Sequence, residues 1–201
     1  MTGQGPGVHP DPPEDFAQRE LPLMDFGGSL WRIYQCKYNS PIFFGKNVRN
    51  RFDAPQGEYG VCYCSHDEYG AFVETFGRGQ GPNIVTQKAL KSRSLIQIEV
   101  KEELRLVDLT GAGLKRLGAD NRIASGGNYD VTRKWSRAVH EHPVRSDGLL
   151  YLSRNDPSRL CVAVFERAAQ KVALNREWQL GSPAGLAVVL PVIEHYGFGV
   201  G

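Results

Sequence analysis

Apolar and polar residues alternate along the chain with two different periods. Residues 30–36 and 59–65 are rich in aromatic and β-branched side chains, which is typical of strands. The stretch between them contains turn-forming residues, namely Pro41, Gly45, Asp53, Pro55 and Gly57, and is predicted to be a loop. The pattern therefore predicts two early strands separated by a long connection.

A helical period begins immediately after the second strand. The apolar residues Tyr69, Phe72, Val73 and Phe76 follow the i, i+3, i+4, i+7 spacing of one buried helix face. Ser65 and Glu68 fit a capping box at the start of this helix, and Gly77 is placed to end it. The sequence therefore predicts an amphipathic helix that ends near residue 76.

The second half of the chain mixes further strands and helices without a regular βα alternation. Strands are predicted over residues 95–100, 104–109, 149–153 and 160–166, and helices over residues 110–117 and 129–140. The last two of these strands are joined by a turn at residues 155–157. From Pro183 onward the chain is apolar, but Pro191 would interrupt a single helix. This order favours an α+β fold, with one domain built on a mixed β-sheet core with helices.

The first 28 residues differ in composition from the rest of the chain. They contain five Pro and five Gly without a hydrophobic period, and five acidic side chains against Arg19 alone. We expect residues 1–28 to form a flexible acidic arm and residues 29–201 to form the single folded domain. The net charge of +2 therefore hides a mildly basic body. That body suits an anionic ligand, but its excess charge is too small to predict direct nucleic-acid binding.

Several classes of protein fit the composition poorly. The longest apolar stretch, residues 186–193, is broken by Pro191 and too short to span a bilayer, and the chain shows no secretory signal. Four cysteines in 201 residues suggest reduced thiols, so we expect a cytoplasmic protein with no membrane association. Cys62, Cys64 and His66 lack the spacing of common zinc sites, and core thiols are the better interpretation. No metal site is predicted.

Glu74 is the most informative single position. It lies on the predicted helix away from the apolar stripe, beside Gly70, Ala71 and Arg78. One interpretation is a solvated ion pair with Arg78 at i, i+4 spacing. The other is a functional carboxylate, because the small neighbours Gly70 and Ala71 would let a ligand approach the helix closely.

Several segments in this order resemble the RES family, which is named for its Arg, Glu and Ser. The resemblance spans residues 29–197, includes Trp135, and rests on Trp31-Arg32-Ile33-Tyr34, Arg51-Phe52, Gly57-Glu58-Tyr59-Gly60-Val61-Cys62-Tyr63, Ala71-Phe72-Val73-Glu74-Thr75-Phe76 and Tyr151-Leu152-Ser153-Arg154. It implies an ADP-ribosyltransferase-like fold with NAD+ as the substrate. It also implies catalytic roles for Glu74 and Arg51, and substrate-binding roles for Arg32, Tyr63 and Ser153.

The resemblance further implies the reaction and its setting. The expected activity is cleavage of the nicotinamide–ribose bond by phosphorolysis or hydrolysis, in a growth-inhibiting, NAD+-depleting toxin. The expected partners are NAD+ and an antitoxin or immunity protein, with inorganic phosphate as a candidate co-substrate, no other cofactor, and a homo-oligomer left open. Two alternatives remain open: ADP-ribosyl transfer to a protein target, or a non-catalytic binding module on the same fold. Retention of the Arg, Glu, Tyr and Ser positions argues against the binding module.

Overall fold

A six-stranded mixed β-sheet forms the centre of the molecule in the computed structural model, which describes residues 9–78, 81 and 83–201. The strands of this sheet are β1 (Leu23–Gln35), β2 (Val61–Ser65), β4 (Arg93–Leu109), β5 (Gly148–Leu152), β6 (Leu160–Phe165) and β7 (Val172–Gln179). Two short strands, β3 (Ile84–Val85) and β8 (Gly199–Val200), form a separate parallel pair. The sheet order is β1-β2-β6-β5-β4-β7, and the predicted mixed-sheet α+β fold is confirmed.

The pairing of β1 creates an opening in this sheet. β1 is antiparallel to β4 along its length, from Leu23 opposite Val107 to Gln35 opposite Arg93. On its other side β1 pairs with β2 only at Trp31 and Ser65. Because β4 also pairs with β5, the strands β1, β2, β6, β5 and β4 close into a ring. The two strands that barely pair, β1 and β2, leave a gap at which side chains of both can meet a ligand.

Helices pack around the sheet. They are α1 (Glu68–Phe76), α2 (Gln87–Lys91), α3 (Gly111–Leu117), α4 (Arg122–Ser125), α5 (Tyr129–Glu141) and α6 (Pro183–His195). Helix α5 buries Trp135 and Val139 against β5 and β6, in one apolar cluster, whereas α1 and α6 share a second cluster around Phe72. In the described part of the chain, no helix is long and apolar enough to cross a membrane.

Helix α1 ends where the sequence predicts, but its N-cap lies two residues after the predicted cap. Gly77 is its C-cap, as expected. Its N-cap is Asp67, whose side chain accepts a hydrogen bond from the Gly70 amide at 2.7 Å. Ser65, the predicted cap, stays in β2, and its hydroxyl donates to the Leu160 carbonyl at 3.0 Å. Ser65 is therefore committed to the sheet, and Asp67 is the first residue free to cap the helix.

Two other predicted boundaries are corrected by long-range contacts. Residues 95–100 and 104–109 belong to one strand, β4, because β1 pairs with it on both sides of the polar residues 101–103. Residues 183–195 form one helix that continues through Pro191. Pro191 is on the exposed side of α6, while Val192 and Ile193 are buried, so packing outweighs the missing backbone hydrogen bond.

The described part of the predicted arm packs against the body. Phe16 is only 4% exposed and meets the Trp135 ring edge-to-face, with 5.4 Å between centroids. The Trp135 indole nitrogen donates to the Pro10 carbonyl at 2.8 Å, and β1 already begins at Leu23. The expectation of a flexible arm is therefore corrected for residues 9–28, because Phe16, Leu21 and Phe26 are buried in the core. Residues 1–8 lie outside the described residues.

Candidate functional site

A cleft of about 600 Å³ opens where β1 and β2 separate. Its walls come from β1, β2, α1, the segment 49–51, and residues near α4 and α5. Four of the five predicted site residues line it: Arg32, Arg51, Tyr63 and Glu74. The fifth, Ser153, is 2% exposed and lies directly behind Glu74. The fold thus brings together residues that lie up to 121 positions apart in the sequence.

Glu74 is held by hydrogen bonds from the segment that follows β5. Its Oε1 accepts from the Ser153 hydroxyl at 2.6 Å and from the Asn155 side-chain amide at 3.1 Å. Its Oε2 lies 4.0 Å from Arg78 Nη2, while Arg78 Nε donates to the Glu74 backbone carbonyl. The Glu74 side chain is 27% exposed. Glu74 is therefore oriented mainly by Ser153 and Asn155, and the expected surface pair with Arg78 is at most a marginal contact.

Ser153 is placed to orient Glu74 and has little access to a ligand. Besides donating to Glu74, its hydroxyl accepts hydrogen bonds from the backbone amides of Asn155 and Asp156 at 3.1 and 3.2 Å. A hydroxyl has one proton, and here that proton points to the carboxylate. The structure places the Ser153 hydroxyl against Glu74, and the substrate-binding role expected for Ser153 stays a prediction.

Arg51 is buried against backbone carbonyls at one side of the cleft. Its guanidinium donates to the Gly126 carbonyl at 2.7 Å and to the Ile123 carbonyl at 3.4 Å, and it stacks over the Tyr129 ring at 4.7 Å. Burial lowers the pKa of Arg51. Its hydrogen-bond and stacking partners in the described part of the chain are neutral carbonyls and a ring, so the positive charge lies next to the cleft without a salt bridge.

Arg32 bridges the gap between the two separating strands. Its Nη1 donates to the Tyr63 carbonyl at 2.8 Å. Its Nε is buried and has no hydrogen-bond partner among the described residues. A buried guanidinium nitrogen without a partner is costly, and an anionic ligand in the cleft would relieve that cost.

The hydroxyl of Tyr63 is engaged within the protein. It donates to Asp53 Oδ1 and accepts from the Phe52 amide, both at 2.9 Å. Asp53 in turn accepts from the backbone amides of Arg49 and Asn50 at 2.8 and 2.7 Å. Burial, with Asp53 nearby, raises the pKa of Tyr63 well above its ordinary value. Tyr63 thus anchors the segment that carries Arg51, and only its ring is available to pack against a ligand.

The cleft also contains functional candidates that the sequence did not single out. Arg49, Arg78 and Arg154 join Arg32 and Arg51 in its lining, whereas Glu74 is the only carboxylate among the described lining residues. The salt bridges formed by the described residues include none for Arg32, Arg49, Arg51 or Arg154. In the sequence Arg49 lies two residues before Arg51, and Arg154 directly follows Ser153. This closeness to predicted site residues could have identified both arginines. The cleft is therefore suited to an anionic ligand carrying more than one charge.

The cysteines near the cleft are mainly core residues, as predicted. Cys62 and Cys64 are 1% and 7% exposed and belong to the cluster inside the strand ring. The described residues include no group of three or more His, Cys, Asp or Glu side chains placed to hold a metal ion. The charged groups among the described lining residues are instead five guanidinium groups and one carboxylate.

Comparisons with known proteins bear on the family and the fold of the chain. Residues 29–182 match the model of the RES domain. Over 83 residues the chain is 30% identical to a Sinorhizobium fredii protein named "Probable toxin y4kH". The aligned residues cover 41% of this chain and 65% of that relative. A chain of the M. tuberculosis MbcT–MbcA toxin–antitoxin complex superposes with a TM-score of 0.70 and 16% identity, over 88% of this chain and 97% of that chain. The last similarity demonstrates a shared fold.

Proposed function

The chain belongs to the RES family, and we propose that it cleaves the bond between nicotinamide and ribose in NAD+. The observation that carries the proposal is the position of Glu74, an oriented carboxylate that is the only one among the described lining residues of a cleft containing five arginines. NAD+ combines the two features that such a cleft can recognise. Its pyrophosphate is an anion, and its nicotinamide ribose becomes cationic as the bond breaks.

The proposed chemistry needs one carboxylate. Nicotinamide is a cation while it is attached and neutral when it leaves, so no general acid is needed to protonate it. Glycosidases that act on neutral sugar ethers need two carboxylates. Glu74 would stabilise the positive charge that develops on the ribose, with its orientation already set by Ser153 and Asn155. An oxygen of water or of inorganic phosphate would form the new bond to C1′ of the ribose, the electron pair of the broken bond would leave on the nicotinamide nitrogen, and an attacking water would release its proton to solvent.

The arginines would hold the pyrophosphate. Arg32 and Arg51 both line the cleft and form no salt bridge among the described residues, so both can stabilise a nearby anion. Guanidinium groups bind phosphate oxygens with two parallel hydrogen bonds, which fixes orientation as well as charge. The Tyr63 ring would pack against a ring of the substrate while its hydroxyl stays on Asp53.

The biological role we propose is that of a toxin that depletes NAD+ and is restrained by an antitoxin. This proposal is supported by the name of the Sinorhizobium fredii relative and by the toxin–antitoxin complex that shares the fold. Expression of the wild-type chain should then arrest the growth of a bacterial host, and expression of the Glu74→Gln variant should not. Equal arrest by both chains would separate toxicity from the proposed chemistry.

The direct test is incubation of the purified protein with NAD+, with and without inorganic phosphate and without added metal. We expect nicotinamide to be released, and chromatography measures its amount. The mass of the other product identifies the acceptor: ADP-ribose for water, and phosphorylated ADP-ribose for phosphate. If NAD+ stays intact in every condition, the proposed activity is wrong.

A further inference from the structure

Residues 153–156 form a hydrogen-bonded turn beside helix α1. In space this turn lies between Glu74, near the C-terminal end of the helix, and the N-terminal end of the same helix. The Ser153 hydroxyl and the Asn155 side-chain amide both donate to the same oxygen, Glu74 Oε1. Oε2 accepts no hydrogen bond within the described part of the chain, and its nearest cation is Arg78 at 4.0 Å. The 153–156 turn therefore fixes one carboxylate oxygen and leaves the other free for a ligand in the cleft.

The 153–156 turn is itself held from outside the cleft. Asp156 accepts hydrogen bonds from the Tyr196 hydroxyl at 2.7 Å and from Arg159 Nε at 3.3 Å. Arg159 Nη1 donates to Asp67, the N-cap of α1, at 2.9 Å. Asp67 and Glu74 are seven residues apart, or about 10 Å along the helix. The turn is thus tied to α1 near both ends of the helix, so its position relative to Glu74 is well determined.

This network is partly shielded from solvent. The side chains of Arg159, Asp67 and Asp156 are 23%, 28% and 18% exposed, and the Arg159 guanidinium lies 4.7 Å from the centre of the Tyr69 ring. Burial opposes ionisation of Asp156, but hydrogen bonds from Ser158, Tyr196 and Arg159 outweigh it and lower its pKa to about 2. Asp156 therefore stays ionised at neutral pH and can keep all its donors.

We propose that Asn155 and Tyr196 are positioning residues for the reaction of Glu74, an inference that rests on the proposed function. Asn155 orients the carboxylate directly. Tyr196 acts through Asp156, because its hydrogen bond holds the 153–156 turn against α1. Orientation of a charged group matters most in the transition state, so loss of either contact lowers kcat and leaves KM nearly unchanged.

Two substitutions test the proposal kinetically. Asn155→Ala removes the amide donor, and Tyr196→Phe removes one oxygen while keeping the ring that stacks on Phe72. We expect kcat to fall roughly tenfold for Asn155→Ala and roughly threefold for Tyr196→Phe, since each change removes one hydrogen bond. KM should stay within about twofold of the wild-type value, as for loss of an interaction made in the transition state.

Matched controls exist among residues that do not line the cleft. Asn175→Ala removes an amide that donates to Gln97 Oε1 at 3.3 Å, and Tyr34→Phe removes a hydroxyl that donates to Glu177 Oε1 at 2.6 Å. Both controls should turn over NAD+ at the wild-type rate. If Asn155→Ala and Tyr196→Phe also keep the wild-type kcat, or raise KM alone, the positioning role is overturned.

A second measurement does not depend on activity. The side-chain carboxyl carbon of Glu74 can be observed by NMR and assigned from its absence in Glu74→Gln. Its chemical shift should change in Asn155→Ala and Tyr196→Phe and should stay the same in the two controls. If the chemical shift changes in the test variants but the wild type does not turn over NAD+, the proposed function is refuted and the positioning role is retained. A resonance unchanged in both test variants would refute the positioning role even in an active enzyme.

Discussion

At the scale of single residues, the candidate site depends on how few carboxylates face the cleft. Glu74 stands beside five lining arginines, and its Oε1 is already engaged by Ser153 and Asn155. A preorganised negative charge stabilises a developing cation without the cost of reorienting solvent. The functional interpretation of Glu74 and the surface-pair interpretation therefore predict different outcomes for the same substitution.

The substitution Glu74→Gln should separate these interpretations. Gln keeps the shape and an oxygen that Ser153 and Asn155 can donate to, but it removes the charge. We expect turnover of NAD+ to fall by about a hundredfold, or about 2.7 kcal/mol of transition-state stabilisation, with little change in melting temperature. Glu194→Gln, at an exposed position of α6, is the matched control and should remain active. A folded Glu74→Gln protein with wild-type turnover would exclude the proposed mechanism.

At the scale of elements, the segment before β1 packs on helix α5, which contributes Tyr129 to the lining of the cleft. Phe16 packs on Trp135 of α5, and Tyr129 of the same helix lies under Arg51. The Trp135 indole is also bound to the Pro10 carbonyl. A segment that resembles a flexible arm by composition is therefore coupled by packing to the helix that supports Arg51.

Replacing Phe16 measures this contribution. Phe16 is 4% exposed, so Phe16→Ala should leave a cavity and lower the free energy of unfolding by roughly 3–5 kcal/mol. Met24, also in the predicted arm, is 36% exposed, and Met24→Ala should cost less than half as much. Chemical denaturation of the two variants provides the comparison. Equal and small effects would restore the expectation of a loosely attached arm.

At the scale of the whole molecule, one histidine links stability to pH. The His140 ring stacks on the Tyr59 ring at 3.7 Å, and burial, with the nearby charge of Arg167, lowers the pKa of His140 to about 4. An unfolded chain has an ordinary histidine pKa near 6.5 and therefore takes up the proton first as the pH falls. The contribution of His140 to the free energy of unfolding is therefore fully present above about pH 6.5 and declines as the pH falls towards 4.

The variant His140→Phe should remove this dependence. Phe can keep the stack on Tyr59 but cannot bind a proton. We expect the wild type to lose stability between about pH 6.5 and about pH 4 more steeply than the variant, as measured by urea midpoints across that range. Parallel curves for the two proteins would show that His140 is not a source of the acid sensitivity.

The sequence by itself determined the features that depend on neighbouring residues. The apolar spacing of helix α1, its end at Gly77, strands β2 and β6 and the mixed α+β character all follow from local periodicity and turn chemistry. The helix pattern also singled out Glu74, whereas Arg32, Arg51 and Tyr63 were reached through family resemblance, since no local pattern could bring the four cleft-lining residues together.

Only the tertiary structure decided which partner each polar group would take. Ser153 and Glu74 are 79 positions apart, and Asp53 and Tyr63 meet only because the loop folds back on β2. The same holds for β4, which stays extended through its polar middle because β1 pairs along it, and for Phe16, which is buried by a helix more than a hundred residues later. Hydrogen bonding and burial are satisfied across the whole fold, so a residue's distant neighbours, rather than its own sequence context, determine its role.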